Sequence, residues 1–253
     1  MKIIIFLLIF VSLTAGQTPQ RNGRQQLIDF RANHDSSTVK ITPATQRSVL
    51  SRVFRKYLTD ANQCKSGFDA GNGADPLAAA RKAGQMVPAV VDVETGSFTA
   101  PGQAQTAYVI EVSECNASHA DNFGTKRVAI FSGQQLVADV DADFMREVVR
   151  KTDLNGDGID ELLMISGDMA QGTLIEMATL VNFQNGRRNV LQEFGTIVED
   201  SCASGSPGSS SKASVLYTPA FAPGLMPKLI QENYVASCRN TKRWRFVSTG
   251  MMQ

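Results

Sequence analysis

From Thr106 onward, β-prone stretches follow one another with turn residues between them and no helical pattern interposed, and this succession constrains the fold more than any other feature. The stretches are Ala107–Val112, Val128–Phe131, Leu136–Val140, Glu147–Lys151, Leu162–Ile165, Thr173–Phe183, Asn189–Phe194, Ser214–Tyr217, Lys228–Glu232 and Arg243–Val247. Ser132-Gly133 and Gln184-Asn185-Gly186-Arg187 supply hairpin turns; Asn-Gly suits the two positive-φ positions of a type I′ turn. Strands joined by hairpins need no crossover helix. The expectation is therefore a mainly β (α+β) domain, an antiparallel sheet or sandwich of roughly ten short strands with a meander at its centre. One helix is expected ahead of it, over 42–61. Thr42 can cap it and Pro43 fits the first helical position. Val49, Leu50, Val53, Phe54, Tyr57 and Leu58 form an apolar stripe. A shorter helix is expected at Pro76–Ala83 behind Asp75.

The flanks read differently. Lys2, the apolar run Ile3–Leu13 and the small residues Thr14-Ala15-Gly16 have the pattern of a secretory leader over 1–16, cleaved before Gln17. The run is too short for a bilayer-spanning helix, which needs ~20 residues. Residues 17–41 are polar without periodicity, so they read as a leader, mobile or loosely docked, to a single β-rich domain over 42–253. The Ser/Gly-rich stretch 201–213 reads as a flexible loop. Export implies an oxidising compartment, secreted or periplasmic, and makes Cys64, Cys115, Cys202 and Cys238 a two-disulfide set. Spacing does not choose among the three pairings; Cys64–Cys115 with Cys202–Cys238 is favoured because the latter closes the Ser/Gly loop.

A net charge of +1 over 253 residues excludes an electrostatically driven nucleic-acid binder. The charges are nonetheless clustered. Between Asp139 and Glu161 stand eight acidic residues against Arg146, Arg150 and Lys151. The chemistry lies in Asp153-Leu-Asn155-Gly-Asp157-Gly158-Ile159-Asp160-Glu161. Oxygen-bearing side chains fall at loop positions 1, 3 and 5, Gly158 permits a sharp bend, the Ile159 carbonyl can add a backbone oxygen, and Glu161 can close the shell. Hard oxygens without His or Cys select Ca²⁺. The competing readings are a plain Asn-Gly or Asp-Gly hairpin turn and a solvated acidic loop tip. A second run, Asp139-Val-Asp141-Ala-Asp143, repeats the acidic spacing, but Phe144 stands where the bend wants Gly.

An EF-hand would place Glu at position 12 and continue into a helix; here position 12 is Met164, within a β-prone run. DLNGDGIDELLM instead resembles the strand–loop–strand calcium motif of FG-GAP and VCBS-type repeats found in integrin-like β-propellers, with Glu161 in place of their usual Asp. The resemblance covers about a dozen residues. It implies one Ca²⁺ held by Asp153, Asn155, Asp157, Ile159 and Glu161 in an extracytoplasmic setting. A closed propeller is not expected, because it needs at least ~4 blades of ~40–45 residues each.

These features converge on an exported, calcium-stabilised, disulfide-bonded β-rich domain that binds an extracytoplasmic protein or glycan, without catalysis of its own and without a membrane span after leader cleavage. Two alternatives stand beside it. One is a secreted metal-assisted hydrolase using the acids of 139–161. The other is a surface adhesion or inhibitor module presenting the Ser/Gly loop and Arg239, Lys242, Arg243 and Arg245, residues that equally suit a charged edge strand.

Overall fold

The computed structural model describes residues 24–32, 41–54, 86–114 and 125–250. Within them the chain is mainly β, and every strand pair is antiparallel. Strands β2 (Met86–Gly96), β3 (Gln105–Glu114), β4 (Thr125–Ser132) and β5 (Gln135–Asp143) form a four-stranded meander. A second meander follows: β6 (Glu147–Thr152), β7 (Glu161–Ala170), β8 (Thr173–Asn182), β9 (Asn189–Asp200), β10 (Ser210–Thr218), β11 (Ile230–Ser237) and β12 (Asn240–Gly250). Strand β1 (Gln25–Asp29) pairs with β10 and makes this sheet eight-stranded. Both sheets are open, with β12 as the edge strand that the basic C-terminal residues suggested.

Strand β7 organises the interior. Leu162, Leu163, Met164 and Ile165 are all buried, so the strand is covered on both faces and reads as a continuous apolar run. Leu162 and Met164 pack with Phe98, Val128, Ile130 and Phe183 between the two sheets. Leu163 and Ile165 pack on the opposite side with Leu180, Phe194 and Leu216. A third layer comes from helix α1 (Pro43–Val53), which lays Val49, Leu50 and Phe54 on Val90, Ile110 and Phe131. The Thr42 hydroxyl accepts from the Thr45 amide, and Pro43 opens the helix as its sequence implies. The helix stops at Val53, earlier than residue 61, where Phe54 leaves helical geometry and buries its ring. Tyr57, Leu58 and the helix expected at 76–83 lie outside the described residues.

The structure departs from the sequence reading at three further places. β1 lies within the stretch read as a mobile or loosely docked leader; Leu27 and Ile28 pack onto the sheet and Phe30 is buried. Beyond β1, Arg31 grips Asp29 at 2.6 and 2.8 Å and sits 4.2 Å from the centre of the Tyr234 ring. Strand β2 lies ahead of the stretch read as strands; it contains Pro88, and as an edge strand it tolerates the missing amide hydrogen. The stretch 201–213 is not one flexible loop: Cys202–Ser204 is a 3-10 turn and Ser210 already begins β10. Serine hydroxyls bind its backbone, and Cys202 is disulfide-bonded to Cys238 with Cα atoms 5.4 Å apart. Cys64 and Cys115 lie outside the described residues.

Where β2 and β6 adjoin, the two sheets are joined through a side chain. Buried Asp92 accepts the Val148 amide at 2.7 Å and the Val93 amide at 2.8 Å. Lys151 Nζ donates to the Thr95 carbonyl alongside. Asp92→Ala would strand the Val148 amide in the interior and is expected to cost about 1–3 kcal/mol in urea unfolding. Unchanged stability would show that the sheets do not depend on this bond.

Candidate metal centre

The loop of interest joins β6 to β7, whose last pair is Thr152 with Glu161. Its local folding follows from its oxygens and glycines. Asp153 accepts the amides of Gly156 (2.7 Å) and Gly158 (2.9 Å) on its two carboxylate oxygens. Asn155 Oδ1 accepts from Asp157 N at 3.0 Å, and Asp157 Oδ1 from Ile159 N at 2.8 Å. Asn155 Nδ2 donates to Asp157 Oδ2 at 3.0 Å. Gly156 and Gly158 take φ of 74° and 83°, conformations that L side chains resist. A Cβ at Gly158 would also stand 3.1 Å from Pro101. The hydrophobic ends anchor the loop, with both Leu154 and Ile159 buried.

The decisive group is Glu161. Its residue is 0% exposed. Oε2 accepts the Leu154 amide at 2.8 Å, tying the start of the loop to its end, while buried Oε1 has no hydrogen-bond partner. Burial pushes the Glu161 carboxyl from near 4.5 up to about 7; the Leu154 amide opposes this, and the charges of Asp157, Asp153 and Asp160 add to it. A desolvated carboxylate with an unsatisfied oxygen beside further carboxylates is costly unless a proton or a cation joins it.

The structure thus joins Asn155 to Asp157, holds Asp153 on the Gly156 and Gly158 amides, and brings Glu161 within the electrostatic reach of Asp157 and Asp153. The oxygens of the three loop side chains are engaged by the loop's own N–H groups, and among the described residues no three acidic, His or Cys side chains are already gathered as a metal-ligating group. The donor set still fits Ca²⁺: each carboxylate oxygen retains acceptor capacity, and Glu161 Oε1 is wholly free to accept.

Partners that lie far off in sequence hold the loop in place. Asp160 Oδ2 accepts from Ser97 N at 2.8 Å, and the Asp160 amide donates to the Ser97 carbonyl at 2.7 Å. A Cβ at Gly96 would strike Asp160 Oδ2. The Asn155 carbonyl accepts from Gly224 N at 2.7 Å, and the Phe221 ring lies over Gly156. None of Ser97, Pro101, Phe221 or Gly224 belongs to a local motif, so sequence spacing could not find them. The second acidic run is differently placed: Asp139 pairs with Arg127 at 2.7 Å, Asp143 with Arg188 at 2.9 Å, and Asp141 accepts the Asp143 amide. Its charges are spent on arginines and a turn.

A pH dependence follows for the metal-free protein. Glu161 holds its proton to about pH 7 when folded and to its ordinary value near 4.5 when unfolded. Between these values the native state binds more protons, so stability falls as pH rises through this window. Glu161→Gln is expected to flatten that slope and to leave the metal-free protein more stable at alkaline pH, as chemical unfolding across the window would measure. Equal slopes in both proteins would contradict the burial account. No protein-family model matches the chain, and neither a curated protein nor a solved structure matches it, so the loop must be read from its own chemistry.

Proposed function

We propose that the chain is an exported, disulfide-bonded β-rich binding domain whose β6–β7 loop holds one Ca²⁺ as a structural ion. The observation that carries this reading is Glu161: a buried carboxylate, one oxygen unpartnered, closing a loop of oxygen donors at alternate positions. Asp153, Asn155, Asp157, the Ile159 carbonyl and Glu161 would hold the ion. Its two charges would offset the three carboxylates, leaving −1 at the site. When bound, the ion supplies charge neutralisation and a bridge between the two ends of the loop, and so between adjacent strands. The partner in this reading is an extracytoplasmic protein or glycan.

Supporting an extracytoplasmic setting are the Cys202–Cys238 disulfide and the leader-like first sixteen residues. Among the described residues, no helix is long and apolar enough to cross a membrane. The hydrolase reading loses support because Asp139 and Asp143, on β5, are held in arginine pairs.

Because the ion binds only the native state, its free energy appears as stability: about 2.7 kcal/mol at a concentration one hundred times Kd. Calcium should raise the melting temperature by about 5–10 °C over chelator, measured by calorimetric scanning. Asp157→Ala should remain folded and lose that response. Superimposable melts in calcium and in chelator would reduce the loop to a turn.

A further inference from the structure

Beside the ion loop, the β10–β11 connection runs Pro219-Ala-Phe221-Ala-Pro-Gly-Leu225-Met-Pro227 without one charged or hydrogen-bonding side chain. Its six residues from Ala220 to Leu225 are consecutively exposed, Phe221 at 63% and Leu225 at 68%. A long exposed stretch with no polar side chain is not a normal solvated loop. Three prolines limit its freedom to fold those side chains away. The loop is joined to the ion loop by the Gly224 amide on the Asn155 carbonyl at 2.7 Å and by Phe221 over Gly156. A small cavity of about 110 Å³ between them is lined by Arg150, Asp153, Phe221 and Pro227, among others. Exposed Arg150 borders it, and exposed Lys228 directly follows the apolar run. Among the described residues neither cation has an acidic partner.

We propose that this combined surface docks on an anionic phospholipid membrane in a calcium-dependent manner. The proposal rests on the calcium reading of the 153–161 loop. With Asp153, Asn155, Asp157, the Ile159 carbonyl and Glu161 as its protein ligands, a Ca²⁺ that takes about six to eight oxygens would accept further oxygens from outside the chain, and headgroup phosphates would be able to supply them. Phe221 and Leu225, standing exposed on a stiffened loop, enter the boundary between headgroups and acyl chains. Arg150 and Lys228 face the negative surface. A lipid surface suits an exposed apolar knob flanked by unpaired cations, since it receives such a knob without needing a preformed pocket.

The test uses the full mature chain with vesicles of phosphatidylcholine, with and without phosphatidylserine, by co-sedimentation in calcium and in chelator. The expected result is binding only with phosphatidylserine and calcium together. The variant Phe221→Ser with Leu225→Ser should lose about tenfold or more of that binding. It should keep the calcium-induced rise in melting temperature, which shows that it is folded and ion-competent. A calcium response in the melt without vesicle binding would overturn the membrane proposal and leave the ion site standing. Absence of both would overturn the ion reading and the docking together. Binding that is indifferent to calcium or to phosphatidylserine would overturn the bridging role. A calcium-dependent dimer in analytical ultracentrifugation, abolished in the double variant, would assign the surface to a second copy of the chain and contradict the membrane.

Discussion

The Glu161 carboxylate is the interaction on which the rest of the site depends. It stands at the first residue of β7, the strand whose next four residues are buried on both faces. Its bond to the Leu154 amide closes the loop back on itself across seven residues. That position makes the group hard to hydrate and hard to move, because the backbone on one side is locked into the core. A charge placed there is tolerable only when neutralised. The same burial that raises its proton affinity leaves its second oxygen without a partner, and the charges of Asp157 and Asp153 add to the cost of ionising it.

The loop is in turn a junction of the fold. Through Asp160 and Ser97 it holds the segment after β2, and Thr99 of that segment accepts the Asn185 amide from the β8–β9 turn. Gly158 against Pro101 keeps the same two segments in contact. With Asp92 bridging β2 to β6, the four-stranded and eight-stranded sheets are connected by side chains and loop amides where no ladder joins them. Anything that stiffens the 153–161 loop therefore acts on the seam between the sheets.

Local chemistry made much of this legible. The hairpin at Gln184–Arg187 is present, and Asn185 and Gly186 take φ of 58° and 72°, as the Asn-Gly pair implies. The Thr42-Pro43 start of α1 and the antiparallel order of the later strands follow from caps, turns and alternation. The alternate oxygens of the 153–157 stretch accept amides two to five residues further on, which is a short-range property of that spacing. What escaped is non-local. β1 exists because β10 offers it an edge beyond the point where β9 stops pairing, and β2 because its proline falls on an outer edge. The structure of the Ser-rich segment depends on a disulfide to a residue 36 positions away. The pairing of Asp139 and Asp143 with arginines from another strand and a turn could not be inferred from their spacing, which repeats that of the 153–161 loop.

The most direct examination of the central claim is diffraction from crystals grown with calcium, with anomalous scattering used to identify the ion. The account predicts a single peak inside the 153–161 loop, with an oxygen of Glu161 and the Ile159 carbonyl at about 2.3–2.6 Å from it. A loop with no peak, its Glu161 still bound only to the Leu154 amide, would contradict it.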